Sequence, residues 1–270
     1  MTADIREKIK IRTSAQATWC PGCSNFLILA AVQKIIEKYI EKGKKKDDFA
    51  IVAGIGCHAK IFDYLDIGGI NTLHGRVAPT CLGIKLAKPN VSVLGFSGDG
   101  DAYAEGIEHL IHSARYNSDF KYLVHNNQVF ALTMGQPTPT TKRGYVNKTN
   151  PRGVVTYPFN PIRLMLVAGA SFVARVYADL LQIQDVLEEA LKHKGFAFIE
   201  VLQPCLIFQK NEGYKIRTYS LQKEGHNKSD FNAAMLKAEE FDYNSDIAKI
   251  PLGIFYQKER ETFEELKLKK

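Results

Sequence analysis

Two stretches of this 270-residue chain carry residue types that do chemistry. Gly98-Asp99-Gly100-Asp101 follows the apolar run 91–96. Asn127 stands 28 residues after Asp99, at the end of His125-Asn126-Asn127, which follows a second apolar run at 122–124. Both runs read as strands, and ligands of parallel sheets sit at strand carboxyl ends. Glycines there let the backbone approach a diphosphate, and a helix start behind them favours negative charge. Asp99 offers a hard carboxylate oxygen and Asn127 an amide oxygen. Magnesium takes oxygen ligands in octahedral geometry and shares them with phosphates. Asp-Gly alone is a common turn. The strand before each half and the paired asparagines turn it into a candidate magnesium–diphosphate site.

The second stretch is Trp19-Cys20-Pro21-Gly22-Cys23. A C-x-x-C pair serves redox, zinc or cluster chemistry. A thioredoxin-like role needs a preceding strand, and none is visible. Cys57, in Gly54-Ile55-Gly56-Cys57-His58, and Cys205, in Gln203-Pro204-Cys205, each follow an apolar run. These thiols make four candidates, suited to zinc or a [4Fe-4S] cluster, and ligand count alone does not separate the two. Cys81 falls in a helical pattern over 79–88 and reads as a small buried hydrophobe. His74 is placed to hydrogen-bond a diphosphate, and Lys60 to attract a substrate carboxylate. His109, His112 and His125 read as core or surface residues.

The elements that must position these groups alternate. Apolar runs at 49–53, 91–96, 122–124, 172–177 and 196–202 predict buried strands. Helical periodicity predicts helices over 24–41, 106–117, 161–167 and 179–193. Near-continuous apolar strands separated by helices signify a parallel sheet covered on both faces. The aperiodic stretch 137–158 is too long for an idle loop. From Asn211 onward the chain is polar and reads as an irregular tail, ending in a short charged helix near 258–267.

The Gly-Asp-Gly…Asn-Asn pattern resembles the motif of thiamine diphosphate enzymes. There the Asp, the last Asn and a backbone carbonyl two residues later hold magnesium. Carried over, these are Asp99, Asn127 and the carbonyl of Val129. A thiamine site produces an electron-rich centre, and a neighbouring cluster gives its electrons a one-by-one exit that zinc does not. The segments TWCPGCSNF, GIGCHAKI, LHGRVAPTCLGIKLA, GFSGDGDAYAEG, NNQVFALTMGQPTPTT and VLQPC run from Trp19 to Cys205. Together they resemble the beta subunits of 2-oxoacid:ferredoxin oxidoreductases, the group that includes the pyruvate and 2-oxoglutarate enzymes.

That resemblance implies a doubly wound parallel α/β fold with helices on both faces, the thiamine diphosphate-binding fold. It implies Cys20, Cys23, Cys57 and Cys205 as [4Fe-4S] ligands. It places Ile55, Gly56, Cys57, His58, His74, Gly100, Asp101, Asn127, Ala131 and Leu132 around the thiamine. It makes residues 1–210 the cofactor-binding domain and 211–270 a tail packing on a partner. The implied partners are ferredoxin and an alpha subunit that bears the pyrimidine-binding domain, with or without gamma and delta subunits; coenzyme A is the co-substrate of the 2-oxoacid. The thiamine-activating glutamate then belongs to the partner, not to Glu105 or Glu108. His58 and Met134 depart from the residues common in the family. The competing readings are a non-redox thiamine decarboxylase or ligase and a zinc-stabilised binding module.

Composition agrees with a folded, soluble, cytoplasmic protein: 45% apolar and 24% charged residues exclude a disordered chain. No apolar run approaches the ~20 residues of a membrane helix, and no secretory signal is visible at the start. The net charge of +7 is concentrated in residues 1–46, with the run Lys44-Lys45-Lys46. This is a solvated loop or, more sharply, a surface that steers an acidic carrier. No nucleic-acid motif accompanies it.

Overall fold

The computed structural model describes residues 9–210 and 213–269. The basic residues before position 9, and the start of the expected tail at 211, lie outside the described residues. The strands are β1 Phe49–Ala53, β2 Gly69–Asn71, β3 Ser92–Gly98, β4 Phe120–Asn126, β5 Val129–Phe130, β6 Gln136–Pro137, β7 Phe172–Tyr177, β8 Ala197–Leu202, β9 Thr218–Ser220 and β10 Ile250–Gln257. Eight of them form one sheet in the order β2-β1-β3-β4-β8-β7-β10-β9, and β5 pairs with β6 separately. From β2 to β7 every neighbouring pair is parallel. Only β10 runs antiparallel to β7. Every residue of the central strands β4 and β8 is buried, which is why their sequences read as apolar runs rather than alternating ones.

The principal helices are α1 Asn25–Glu41, α2 Val77–Ala87, α3 Ile107–Tyr116, α4 Pro161–Val167, α5 Leu180–Lys192, α6 Phe231–Glu239 and α7 Phe263–Leu268. Local chemistry starts several of them. The Asp179 carboxylate accepts from the Leu181 and Gln182 N–H groups at 3.1 Å to begin α5. Asn160 caps α4, with Pro161 in its first turn. On one face of the sheet, Ile28, Val32 and Ile35 of α1 and Ile183 and Leu187 of α5 pack with Ile51, Phe96 and Leu123. On the other, α2, α3, α4 and α6 bring Cys81, Leu110, Met165 and Ala234 against Tyr122, Phe198 and Phe255. The expected doubly wound α/β architecture is present.

The expectation of an irregular tail is corrected. The stretch after residue 213 adds β9 and β10 to the main sheet and lays α6 over it. Tyr214, Phe241, Tyr243, Ile250 and Leu252 form a small core of their own. The run Ile250-Pro251-Leu252-Gly253-Ile254-Phe255-Tyr256 is apolar, but its Pro, its Gly at φ +123° and a register shift hide the strand period. The short charged helix is found at Phe263–Leu268. The long stretch after β6 is a loop, as expected. Among the described residues no helix is long and apolar enough to cross a membrane.

Candidate active site

At the carboxyl ends of β1, β3, β4 and β8 lies an open cavity. Its walls hold Ile55, Gly56, Cys57, His58, His74, Gly100, Asp101, Asn127, Ala131 and Leu132, together with Asp99 and Val129. The fold thus brings together every residue expected around the diphosphate and magnesium. Lys60 is not in the wall; its ammonium donates to the Thr18 carbonyl at 3.2 Å, on the cysteine side.

Glycines make the space. A Cβ on Gly100 would stand 2.2 Å from the Phe130 ring, one on Gly98 2.9 Å from His58 Nδ1, and one on Gly54 1.9 Å from the Asp101 carboxylate. Side chains there would fill the approach to the strand ends.

Asp99 is buried. Thr138 Oγ1 donates to its Oδ2 at 2.5 Å and Thr140 Oγ1 at 3.0 Å. Burial lifts its pKa to about 6 in spite of those hydroxyls. Among the described residues no cationic side chain forms an ion pair with it. A buried carboxylate held by hydroxyls, beside the Asn127 amide and the Val129 carbonyl, is a hard-oxygen donor set, and it fits magnesium. The Asn127 Oδ1 accepts from the Val129 N–H at 3.0 Å, which shapes the turn and leaves one lone pair.

Asp101 behaves differently. Burial raises its pKa, but the His58 imidazole, the Ser97 hydroxyl and the Gly75 N–H at 2.7 Å together hold it below the usual value. The Gly75 bond ties the turn carrying His74 to the end of β3. His58 Nε2 and His74 Nδ1 each stand 3.5 Å from the Asp101 carboxylate. Both atoms lack a hydrogen-bond partner, as does Nε2 of His125. These orphaned polar atoms in one cavity fit a polar ligand such as a diphosphate.

His125, expected in the core or at the surface, is buried on β4 and also borders the cavity. Its Nδ1 pairs with Asn25 Oδ1 at 2.8 Å, and burial together with the nearby His58 pushes its pKa well down. Gln203 also lines the cavity. Neither shows in the sequence: a histidine in a fully buried strand is indistinguishable from a packed one until the strand's end is located. Thr138 and Thr140 have only one signal, the suspicious length of their loop.

The four expected cluster thiols come from three loops. Cys23 N–H donates to the Cys20 carbonyl at 3.0 Å, closing a turn in which Gly22 takes φ +77°. The Trp19 indole N–H donates to the Cys57 carbonyl at 2.6 Å, pinning this turn to the end of β1. Gln203 Nε2 stands 3.6 Å from Cys23 Sγ. Burial raises the Cys57 thiol; Lys60 opposes this, and Cys23, Cys205 and Cys20 add to it, so the other three thiols lie near enough to Cys57 to act on its charge. Four free thiols around Cys57 are soft donors of the type a [4Fe-4S] cluster takes. Among the described residues no group of three or more His, Cys, Asp or Glu is arranged to hold a single metal ion. Cys81 is fully buried between α2 and the sheet.

The chain is similar to known proteins. Residues 54–201 match the family model described as thiamine pyrophosphate enzyme, C-terminal TPP binding domain. Residues 208–269 match the model for the C-terminal part of the pyruvate ferredoxin oxidoreductase beta subunit. The 2-oxoacid:ferredoxin oxidoreductase subunit beta of Saccharolobus solfataricus is 40% identical over 256 residues, covering 89% of this chain and 82% of its own length. The 2-oxoglutarate synthase subunit KorB of Archaeoglobus fulgidus is 41% identical over 202 residues, covering 74% of each. The solved 2-oxoglutarate:ferredoxin oxidoreductase from Magnetococcus marinus, with 2-oxoglutarate, coenzyme A and succinyl-CoA bound, superposes with a TM-score of 0.88 at 31% identity, covering 96% of this chain and 87% of that one. With a thiamine-binding domain over the cavity and beta subunits matching nearly end to end, the chain belongs to the 2-oxoacid:ferredoxin oxidoreductase family as a beta subunit, an oxidoreductase component of a multi-subunit enzyme.

Proposed function

We propose that this protein, joined to an alpha subunit, carries out the oxidative decarboxylation of a 2-oxoacid of the pyruvate or 2-oxoglutarate class, with coenzyme A as acyl acceptor and ferredoxin as electron acceptor. The observation that carries this reading is the 54–58 loop. Ile55, Gly56, Cys57 and His58 line the cavity, while the Cys57 thiol lies near enough to the other three cysteines for their charge to act on it. One loop thereby serves both a diphosphate cavity and a thiol cage, the arrangement that decarboxylation coupled to electron removal needs.

Asp99, Asn127 and the Val129 carbonyl would hold magnesium, and the glycines at 98 and 100 leave room for the diphosphate. Thiamine diphosphate, when bound, supplies the electron sink for decarboxylation, and a cluster on Cys20, Cys23, Cys57 and Cys205 supplies one-electron steps. The chain's own residues bind and orient. Asp101 holds the His74 turn in place. His74, about one-third exposed, presents a ring nitrogen at the cavity edge. Lys60 lies near Cys57, where its charge lowers the cost of gathering negative charge. Ile55 and Leu132 line the cavity yet remain 43% and 50% exposed. An apolar rim of this kind suits coverage by the alpha subunit, which would bring the pyrimidine-binding domain and the activating carboxylate. The 213–269 segment offers a further surface for it.

Anaerobic co-purification with the alpha subunit tests this directly. Iron, sulfide, magnesium and thiamine diphosphate are assayed, then 2-oxoacid- and coenzyme A-dependent reduction of ferredoxin or viologen. The complex should be active, and the isolated chain should not be. Decarboxylation without reduction of any acceptor would favour a non-redox thiamine enzyme, and zinc without iron would favour a structural module; either result overturns the proposal.

A further inference from the structure

A buried polar chain of residues that do not themselves line the cavity runs up to it. Arg175 on β7 and Glu200 on β8 are both fully buried, with Arg175 Nε 2.7 Å from Glu200 Oε2. The Tyr243 hydroxyl, from the segment after α6, donates to Glu200 Oε1 at 2.5 Å and accepts from Arg175 Nη2 at 3.2 Å. Phe241 and Phe255 stand over the guanidinium at 4.9 and 5.4 Å from ring centroid to Cζ. The remaining partner of Glu200 Oε1 is the Asn126 amide, whose Nδ2 donates at 2.7 Å.

The Asn126 bond decides an orientation. The two ends of an asparagine amide have nearly the same shape, and only their partners distinguish them. Ionised Glu200 is acceptor-only, so it draws the NH2 end to itself and turns Oδ1 the other way. That oxygen then accepts from the Gln128 N–H at 3.2 Å and stands 3.0 Å from Thr140 Oγ1, competing for that hydroxyl's single proton. Thr140 is the same residue whose hydroxyl reaches Asp99 Oδ2 at 3.0 Å. Gln128 sits at φ +61°, a conformation that non-glycine residues adopt only when held there. It lies between Asn127 and Val129, the two other proposed magnesium ligands. The Asn126 amide therefore reaches each half of the magnesium site through one neighbour, Thr140 or Gln128, without lining the cavity.

We propose that Glu200, fixed by Arg175 and Tyr243, is a positioning residue for the magnesium loop, acting through the orientation of the Asn126 amide on Thr140 and on the 127–129 turn. This rests on the magnesium reading of Asp99 given above. It also gives the 213–269 segment a part in the site, since Tyr243 and the aromatic rings around Arg175 come from it.

The test is the Mg2+ concentration that half-saturates thiamine diphosphate binding, measured by titration calorimetry on the complete complex, beside the thermal midpoint and iron content. Asn126→Leu and Thr140→Val keep the volume and delete the polar contacts. Each should raise the half-saturating Mg2+ by about fivefold or more, the worth of roughly one buried hydrogen bond, with iron content unchanged. Glu200→Gln should shift it in the same direction, because an amide no longer forces one orientation on Asn126. Glu200→Gln combined with Asn126→Leu should bind Mg2+ no worse than Asn126→Leu alone, since both act through one contact. Should Glu200→Gln fail to fold with Arg175 left unpaired, Thr140→Val decides. Half-saturation within about twofold of the native value in folded Asn126→Leu or Thr140→Val, whatever the change in thermal midpoint, makes the chain merely structural and overturns the proposal. Asp99→Ala separates this failure from that of the underlying reading. If Asp99→Ala loses Mg2+-dependent binding while the other variants do not, only the positioning role falls; if Asp99→Ala binds as the native enzyme does, the magnesium assignment falls with it.

Discussion

Asp99 and Asp119 lie at opposite ends of the same sheet, and burial raises the pKa of both, yet they end on opposite sides of the ordinary value. Asp99, just after β3, is lifted to about 6. Asp119, just before β4, is held down to about 2, because Lys121 and Lys85 outweigh the burial. Their ammonium groups stand 2.7 and 3.1 Å from its oxygens and are themselves buried. Around them Lys121 donates to the His193 and Gly195 carbonyls, and Lys85 to those of Pro89 and Val91. Where the carboxylate is part of the scaffold, the chain supplies the cation. Around Asp99 it supplies two hydroxyls and, among the described residues, no cation, which is the state expected of a group whose counter-charge arrives with a ligand. The same contrast separates the cysteines: Cys81 is packed in a core, whereas Cys20, Cys23, Cys57 and Cys205 stand on loops.

The cysteines allow the largest effects. Cys57→Ser, or the same change at Cys20, Cys23 or Cys205, should remove most of the iron and the broad visible absorption, and with them ferredoxin reduction. Cys81→Ser should leave both in place. An intact four-iron cluster in Cys205→Ala would break the division between packed and ligating thiols.

Next come the two aspartates. Asp119→Ala leaves two buried lysines unpaired, and it should lower stability by about 3–5 kcal/mol. The Mg2+ dependence of cofactor binding in whatever protein folds should not move. Chemical denaturation and Mg2+ titration together check this, and a selective loss of cofactor affinity would erase the contrast.

Asp99→Asn should do the reverse. Losing the charged ligand should weaken Mg2+–thiamine diphosphate binding by at least about 10-fold. Stability of the thiamine-free protein should rise at pH 7. The raised pKa means that the folded state binds a proton the unfolded chain has released, so Asp99 costs stability as pH rises from about 4 to about 6. Two units correspond to about 3 kcal/mol at most, and denaturant midpoints of native and Asp99→Asn protein at pH 5 and 7 measure the difference. Equal midpoints at both pH values would show that Asp99 already has its counter-charge within the chain.

The last effect is at the scaffold end. His193 is buried beside Lys121, and its pKa falls to about 4, first through burial and then through that lysine. The unfolded chain takes up this proton near pH 6.5 and the folded one only near 4, so stability falls as pH drops across that window. His193→Gln should flatten the pH 6.5–4 limb of the stability profile. The Asp119 contribution is lost only below this, as pH falls from about 4 through about 2. A native profile with no slope between pH 6.5 and 4 would remove His193 from the account.

Much of the fold was legible because it rests on local pattern. Phe49–Ala53, Phe172–Tyr177 and Pro161–Val167 stand where their apolar periods and turn residues put them. The other central strands and helices start or end within a few residues of expectation. What escaped was structure whose local signal is weak. β2 is a three-residue edge strand with every residue exposed, so it has no apolar period to read. β10 is broken by proline and glycine, and α6 is a short helix with only two buried residues. The residues expected at the cavity and the thiols were readable because ligand chemistry demands particular residue types directly after strands. His125 escaped because its residue type is equally at home in a core.

The sequence by itself determined the donor chemistry: hard oxygens at Asp99 and Asn127, soft sulfurs at four cysteines, glycines where backbone must come close, and strands ahead of Asp99, Asn127, Cys57 and Cys205. Only the tertiary structure decided which distant groups complete them. Thr138 and Thr140 reach back 39 and 41 positions to Asp99, Asn126 reaches 74 positions to Glu200, and Tyr243 ties the last part of the chain to the same carboxylate. These partners meet because β3, β4, β8 and β7 lie side by side. Strand adjacency is set by burying two faces of one sheet at once, a condition on the whole chain that no local window of residues contains.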